Sequence, residues 1–352
     1  MKKMINFPSI EQFRNIVANV NRKYNFIGLD ETGEAIYDLS KPKPVLRFVG
    51  TIKLHGTNMG VCYNDEDGLW VQSRENIITP EKDNAGAAFF VMSHENVFLD
   101  LFKQVKEKYN IDTTKNTISI YGEWVGKGIQ KSVAIAELPK SMFIIGLKIS
   151  PHEMDKTNVA YWLDSSFLRN VENKVYNIYD YKTYVIDIDF NVPQLSQNNI
   201  IDCTIEVEDE CPVSKEFGHS GIGEGIVYTH MTPDGEAYRF KSKGEKHAKG
   251  SKIKTLKPVD DEKVNKVISI VNQITPEWRL EQMLEKTFDL MNGGEIDIKK
   301  MGEFIKNVIA DVIKEESDVL ADNGLEPKDI SSKVSEVCRN YFFAKQNEAV
   351  GL

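Results

Sequence analysis

The chain is poor in the features that mark several large functional classes. No apolar stretch approaches the ~20 residues that a membrane-spanning helix requires. The start, MKKMINFPSIEQF, has no apolar signal core, so a cytoplasmic protein without a membrane partner is expected. Its four cysteines, Cys62, Cys203, Cys211 and Cys338, show no CxxC spacing, which argues against a zinc knuckle or a disulfide framework and predicts reduced thiols. Among the histidines, His94, His152, His219, His230 and His247 form no HxxxH pair, and metalloenzyme chemistry has no support. A Walker phosphate loop is missing too. The glycines of GHSGIGEG (218 to 225) precede a strand rather than a helix N-terminus, and they predict a flexible approach to that strand. A net charge of −9 argues against a chain that coats nucleic acid indiscriminately.

What is present fits a two-domain soluble protein. At 352 residues the chain exceeds one average core, and its 41% apolar and 28% charged residues are ordinary for independent folding. Ser9-Ile10-Glu11-Gln12 has capping-box spacing, and Ile10, Phe13, Ile16, Val17 and Val20 then share one helical face, predicting a first helix to about Lys23. From Leu46 to Gln72 short β-branched and aromatic runs alternate with turn residues, predicting antiparallel strands. The stretch from about Ala85 to Tyr109 is helical in period, whereas TISIYGEW, MFIIGLKIS, YVIDIDF, EGIVYTH and AYRFKSK read as strands. Strands and helices mix without a βαβ rhythm, so the expected class is α+β, with antiparallel sheets and flanking helices. After Pro258 the pattern is helical to the end. Between the two regions the charge reverses: from Arg239 to Lys257 eight Lys or Arg residues face one acid, Glu245. The predicted division is therefore 1–243, a basic hinge at 244–258, and an all-helical domain at 259–352.

Lys53 lies at a predicted strand end, three residues before Gly56, where a glycine lets the backbone turn sharply. KxxG alone carries little information, and a second copy occurs at Lys241 to Gly244. Its company matters more. KLHGTN (53 to 58) is followed by Gln72-Ser73-Arg74-Glu75, Tyr121-Gly122-Glu123-Trp124, Glu224-Gly225-Ile226-Val227 and Phe240-Lys241-Ser242-Lys243. In that order and spacing the set resembles the nucleotidyltransferase motifs of polynucleotide ligases and mRNA capping enzymes. HGTN, GEWVGKGIQKSV (122 to 133) and the helical tail are similar more narrowly to the phage RNA ligase 2 family, which seals nicks in double-stranded RNA.

The residue types suit that chemistry. An amine that attacks the α-phosphorus of ATP must be unprotonated, whereas free lysine titrates near ~10.4, so nearby cations are needed. Lys241 and Lys243, two apart on a strand, share a face and could both reach the α-phosphate. The resemblance implies Lys53 as the catalytic nucleophile, with Leu54, Arg74, Glu123, Lys241 and Lys243 around the nucleotide and Glu123 on its ribose. It places His55 and Asn58 in support of adenylation and strand joining, and Glu224 near Mg2+ or Mn2+ and the reacting phosphates. ATP is the implied substrate. RNA is the implied partner, as nicked duplex or broken structured RNA in a repair setting, with no protein partner and, for a viral chain, a location in the host cytoplasm. Lys246, Lys249, Lys252 and Lys254 of the hinge are the expected RNA contacts.

Three positions depart from the family pattern. Ile52 stands where an acid is usual, Gly146 where an aromatic stacks on adenine unless a register shift gives Phe143 that role, and Thr229 where a lysine is usual. A DNA ligase or capping guanylyltransferase shares the lysine chemistry, but its usual OB-fold partner needs strands that the tail does not supply. A noncatalytic RNA-binding relative is the alternative from outside the enzymes.

Overall fold

A computed structural model describes residues 2–29, 33, 35–39, 41–248 and 255–349. Its strands are β1 (Glu11–Gln12), β2 (Phe26–Leu29), β3 (Ala35–Tyr37), β4 (Val45–Lys53), β5 (Thr57–Asn64), β6 (Gly68–Ser73), β7 (Ile77–Ile78), β8 (Asn116–Val125), β9 (Ser141–Pro151), β10 (Tyr161–Leu163), β11 (Val175–Asn177), β12 (Thr183–Asp189), β13 (Gly225–Met231) and β14 (Ala237–Lys243). Its helices are α1 (Phe13–Asn25), α2 (Ala87–Ser93), α3 (Glu95–Tyr109), α4 (Gln197–Asp209), α5 (Pro212–Glu216), α6 (Glu245–Ala248), α7 (Asp261–Ile274), α8 (Glu277–Phe288), α9 (Met301–Glu315), α10 (Ser317–Asp322) and α11 (Pro327–Ala349). The class is α+β, as expected.

The chain forms two compact units. The first comprises Met1–Ile16, Leu46–Ile188 and Ser196–Lys257 and holds two large sheets. One sheet runs β10-β9-β8-β5-β6-β7, with β11 added alongside β9. Strand alternation sends Val61, Ile118, Ile120, Leu147 and Ile149 to one face, where they form a core with Phe98, Leu101 and Phe102 of α3. The same alternation leaves Asn58, Gln72, Ser119, Tyr121 and Glu123 on the other, polar face. The second sheet runs β1-β14-β13-β4-β12. It buries Phe48, Ile52, Ile226, Tyr228 and Phe240 on one side, and α4 packs on β13 and β14.

Two local expectations need correction. Ser9 does not open a helix: Glu11 and Gln12 pair in parallel with Phe240 and Lys241, and α1 begins at Phe13. Sheet pairing satisfies backbone groups that a capping box would otherwise serve. The predicted helix from Ala85 to Tyr109 is broken at His94, whose Nδ1 lies 2.8 Å from the Phe90 carbonyl.

The second unit comprises Val17–Val45, Asp189–Leu195 and Pro258–Leu352. It thus takes in two stretches that lie inside the 1–243 span read from the sequence as one domain. From Pro258 onward its described residues form helices and no strands. Val271, Leu284, Phe304, Val308 and Phe342 build its core. Arg279 is buried beside them, 3.3 Å from Asp311 and 2.6 Å from Glu316. No helix among the described residues is long and apolar enough to cross a membrane.

Candidate functional site

β4 delivers Lys53 at its last residue, and register places it opposite Gly225, which in turn faces Lys243. Residues directly opposite in a sheet project to the same side, so the two lysines flank one another across the glycine. A side chain at Gly225 would not fit: a Cβ would lie 2.1 Å from the Ser242 carbonyl oxygen, on a backbone with φ +146. Glu224, immediately before β13, is 2% exposed and fills the centre of the group. Its carboxylate accepts from Lys53 Nζ at 2.7 Å and from Lys243 Nζ at 2.5 Å, and His55 Nδ1 lies 3.3 Å away. Burial pushes this carboxyl up, but the His55 hydrogen bond, the Lys53 charge and the lysine hydrogen bonds outweigh it and hold it well below the usual carboxylate range.

The approach to Glu224 is not the loose run that its glycines predict. Cys211 N–H donates to the Gly221 carbonyl, Gly223 N–H to Val207, and Ala134 N–H to the Ile222 carbonyl. Three backbone bonds therefore fix the segment that aims Glu224.

The turn after Lys53 is clamped from the other sheet. Glu123 on β8 accepts from Gly56 N–H at 3.0 Å, and Gln130 Nε2 donates to the Gly56 carbonyl at 3.1 Å. A Cβ at Gly56 would lie 2.3 Å from the Trp124 carbonyl oxygen, so the close approach requires glycine. Burial pushes the half-buried Glu123 carboxyl up to about 7, Glu224 adds to this, and Lys53, the Gly56 N–H and His55 oppose it. Asn58 stands directly opposite Glu123 on β5 and shares its face. Burial and the charges of Lys53, Lys243 and Arg74 lower the Lys241 amine, against Glu224. A cavity of about 620 Å³ lies against Lys241 and Lys243 and is lined also by Arg14 and Lys257.

Lys53, His55, Glu123, Glu224, Lys241 and Lys243 therefore converge. Arg74 stands just past β6, exposed, with its guanidinium 3.1 Å from Ser9 Oγ. Leu54 is buried, at 4% exposure. Lys246 on α6 lies 3.5 Å from Asp209. Lys249, Lys252 and Lys254 lie outside the described residues.

The three departures have structural settings. Ile52 pairs with Ile226 in the apolar face of its sheet, where an acid would lack solvent. A bulge on β9 between the partners of Tyr121 and Gly122 brings Phe143 opposite Glu123 and Gly146 opposite Tyr121, so both share the polar face. Phe143 is fully buried against Tyr176, Tyr181 and Phe217. Over Gly146 sits Trp162, whose ring a Cβ there would meet at 3.1 Å. Thr229 lies directly opposite Arg239, so the row that lacks the lysine holds a cation one strand away.

Sequence reading missed the covering of the polar face by the N-terminal segment. Ile5 exchanges hydrogen bonds with Gln72 and accepts from the Tyr121 hydroxyl, while Phe7 packs edge-on against Tyr121 and Trp162. No local periodicity signals such a segment.

Residues 46–243, more than half of the chain, match the family model described as RNA ligase. No curated protein matches. Among solved structures the chain is similar to Naegleria gruberi RNA ligase with ATP and Mn, at 16% identity and a TM-score of 0.41, over 72% of this chain and 60% of that one. It is similar also to the same enzyme with AMP and Mn, at 16% identity, a TM-score of 0.43 and the same two coverages. The chain thus spans about 60% of the length of these proteins. Likeness at this level describes neither the site nor its ligands.

Proposed function

The chain belongs to the RNA ligase family, and on that premise we propose that it is an ATP-dependent RNA ligase whose nucleophile is Lys53. The observation that carries this reading is the convergence of Lys53, Lys243 and His55 on Glu224, beside the turn clamped by Glu123. An amine at a strand end, flanked by further lysines, suits attack on a phosphorus atom with cationic support for the developing charge.

Three displacements follow. Lys53 Nζ bonds to the α-phosphorus of ATP, the bond to the bridging oxygen breaks, and pyrophosphate leaves. An oxygen of an RNA 5′-phosphate then takes the adenylyl phosphorus and releases the lysine. Last, a 3′-hydroxyl attacks the 5′-phosphate and AMP departs, leaving a phosphodiester.

A carboxylate held ionised this firmly is a poor proton acceptor. It suits a cation, and hard divalent ions favour carboxylate and phosphate oxygens, so Glu224 would hold Mg2+ or Mn2+ only jointly with the phosphates of ATP, there being no cluster of further ligands among the described residues. Such an ion would neutralise phosphate charge. Lys241 and Lys243 would grip the phosphates, Glu123 the ribose, and Arg74 and Asn58 the strand ends. Leu54 would border the nucleotide.

The narrower reading is an RNA ligase 2-type repair enzyme acting on nicked duplex or broken structured RNA. In it 1–243 forms the adenylyltransferase domain, 244–258 a basic hinge and 259–352 an RNA-clamping helical domain. Lys246, Lys249, Lys252 and Lys254 contribute to binding that weakens with salt.

Incubation with α-labelled ATP and magnesium tests the core claim. The parent should become labelled, and Lys53→Ala should lose at least about 10³-fold of the labelling rate. Undiminished labelling of Lys53→Ala would overturn the assignment. Sealing of nicked RNA against nicked DNA then decides the substrate.

A further inference from the structure

The polar face of the seven-stranded sheet continues well past the Lys53 end. Six residues separate Asn58 from Asn64 along β5, a rise of about 20 Å. At that far end lies a second cavity, of about 500 Å³. Its floor comes from two cross-strand rows, one running from Trp70 to Lys148 and the next through Asn64, Thr117 and Ser150. Residues 3–6 of the N-terminal segment line its other side.

Two groups in that floor lack a partner. Among the described residues Trp70 Nε1 and Ser150 Oγ find no hydrogen-bond partner, although their residues are only 3% and 8% exposed. Buried polar groups in folded proteins are nearly always paired, so two orphans lining one cavity point to something that belongs there. Charge gives the same indication. Lys148, half-buried, has no carboxylate within ion-pair reach among the described residues. Burial and the nearby charge of Arg239 hold its amine below the usual lysine range. Arg239 is itself buried, with Nη1 unpartnered among the described residues. Lys3 and His152 add basic groups to the lining, while Glu66 and Asp67, also in the lining, lie on the β5–β6 turn, whose nearer strand is two places from that of Lys148.

We propose that this cavity binds a small phosphate monoester, no larger than a mononucleotide, with the phosphate on Lys148 and Ser150 and the Trp70 indole donating to an acceptor at the other end. Lysine and hydroxyl donors suit a phosphate, and the two carboxylates of the lining, Glu66 and Asp67, lie on the turn beyond Asn64 rather than in the row of Lys148 or of Ser150. The N-terminal segment over the cavity favours a small ligand over a polymer end. The site is separate from the nucleotide site at Lys53.

Titration calorimetry of AMP and of inorganic phosphate tests the proposal, with Lys241→Ala/Lys243→Ala as the background that removes both lysines proposed to grip phosphate beside Lys53. That protein should still bind both probes at one site. Adding Lys148→Met should weaken both at least about tenfold, and adding Ser150→Ala should weaken both to a lesser degree. Lys148→Met alone should keep the parental rate of labelling by α-labelled ATP, which establishes that it folds. Adenosine, lacking the phosphate, should bind at least about tenfold more weakly than AMP. Absence of saturable binding to Lys241→Ala/Lys243→Ala at millimolar probe would overturn the proposal. So would binding indifferent to Lys148→Met, or adenosine binding as tight as AMP.

Discussion

Lys53, Lys243 and His55 at one end of the polar face all reach a single carboxylate, Glu224, whereas Lys148 and Arg239 toward the other end reach none among the described residues. Both groups are wholly or partly removed from water, yet they are stabilised differently. At the Lys53 end the basic groups share a carboxylate partner, so each has a fixed place and a fixed neighbour. At the far end Arg239 is held by aromatic rings, 3.8 Å from the centroid of Trp162 and 5.4 Å from that of Phe7. Paired charge suits the proposed reaction centre, and unpaired charge the proposed binding site. Substitutions at the two ends should therefore fail in different ways.

The largest effect is expected at Glu224. Glu224→Gln removes the charge on which three basic side chains converge and should lower sealing by about 10²–10³-fold, the range found when one preorganised electrostatic contact is lost. Breaking a buried ion pair costs ~3–5 kcal/mol. Here Lys53 and Lys243 keep 20% and 17% of their side-chain exposure, so a loss of about 2 kcal/mol is expected. The folded-state titration of Glu224 lies below its unfolded value, so its contribution is fully present above about pH 4.3 and fades as pH falls. Urea unfolding of parent and variant at pH 4 and pH 7 should show the gap narrowing in acid. An equal gap at both would mean that Glu224 is not the hub of the pairing.

The residues of this end were legible because their motifs resemble, in type and in order, those of a known family. KLHGTN, YGEW, EGIV and FKSK each deliver one part, and strand register then places Lys53, Gly225 and Lys243 in one row. What was not legible depends on contacts between distant segments. Nothing in GEWVGKGIQKSV says that Gln130 holds the Gly56 carbonyl. Nothing near Gly146 says that Trp162 covers it. The first helix was misplaced for the same reason, since Glu11 and Gln12 find their partners more than two hundred residues away. Periodicity reads neighbours along the chain, whereas the far-end cavity is built from β5, β6, β8, β9 and residues 3–6.

An effect read on stability alone is expected at Glu123, where the sign is opposite to that of Glu224. Its carboxyl rises from 4.5 to about 7 on folding. Within that window the folded protein holds a proton that the unfolded chain has released, so raising the pH favours the unfolded state. Glu123→Gln keeps an oxygen for the Gly56 N–H and removes the titration. Its stability relative to the parent should rise from about pH 4.5 to 7 and level off above. Urea unfolding at pH 5, 6, 7 and 8 measures this directly. A difference constant across the series would show that this carboxyl ionises normally.

The smallest effect sharpens the comparison most. Arg239 is 8% exposed and has no carboxylate partner among the described residues. Replacing a buried charge by an apolar side chain of similar length is often neutral or stabilising, because the desolvation cost disappears with the charge. Stacking on Trp162 opposes this and is worth up to about 2 kcal/mol when desolvated. The two terms nearly cancel, so Arg239→Met should change stability by less than about 1 kcal/mol, well under the loss at Glu224. Thermal and urea unfolding give the value. A loss of about 3 kcal/mol or more would match a broken buried ion pair, place an anion beside Arg239 in the folded protein itself, and erase the distinction between the two ends.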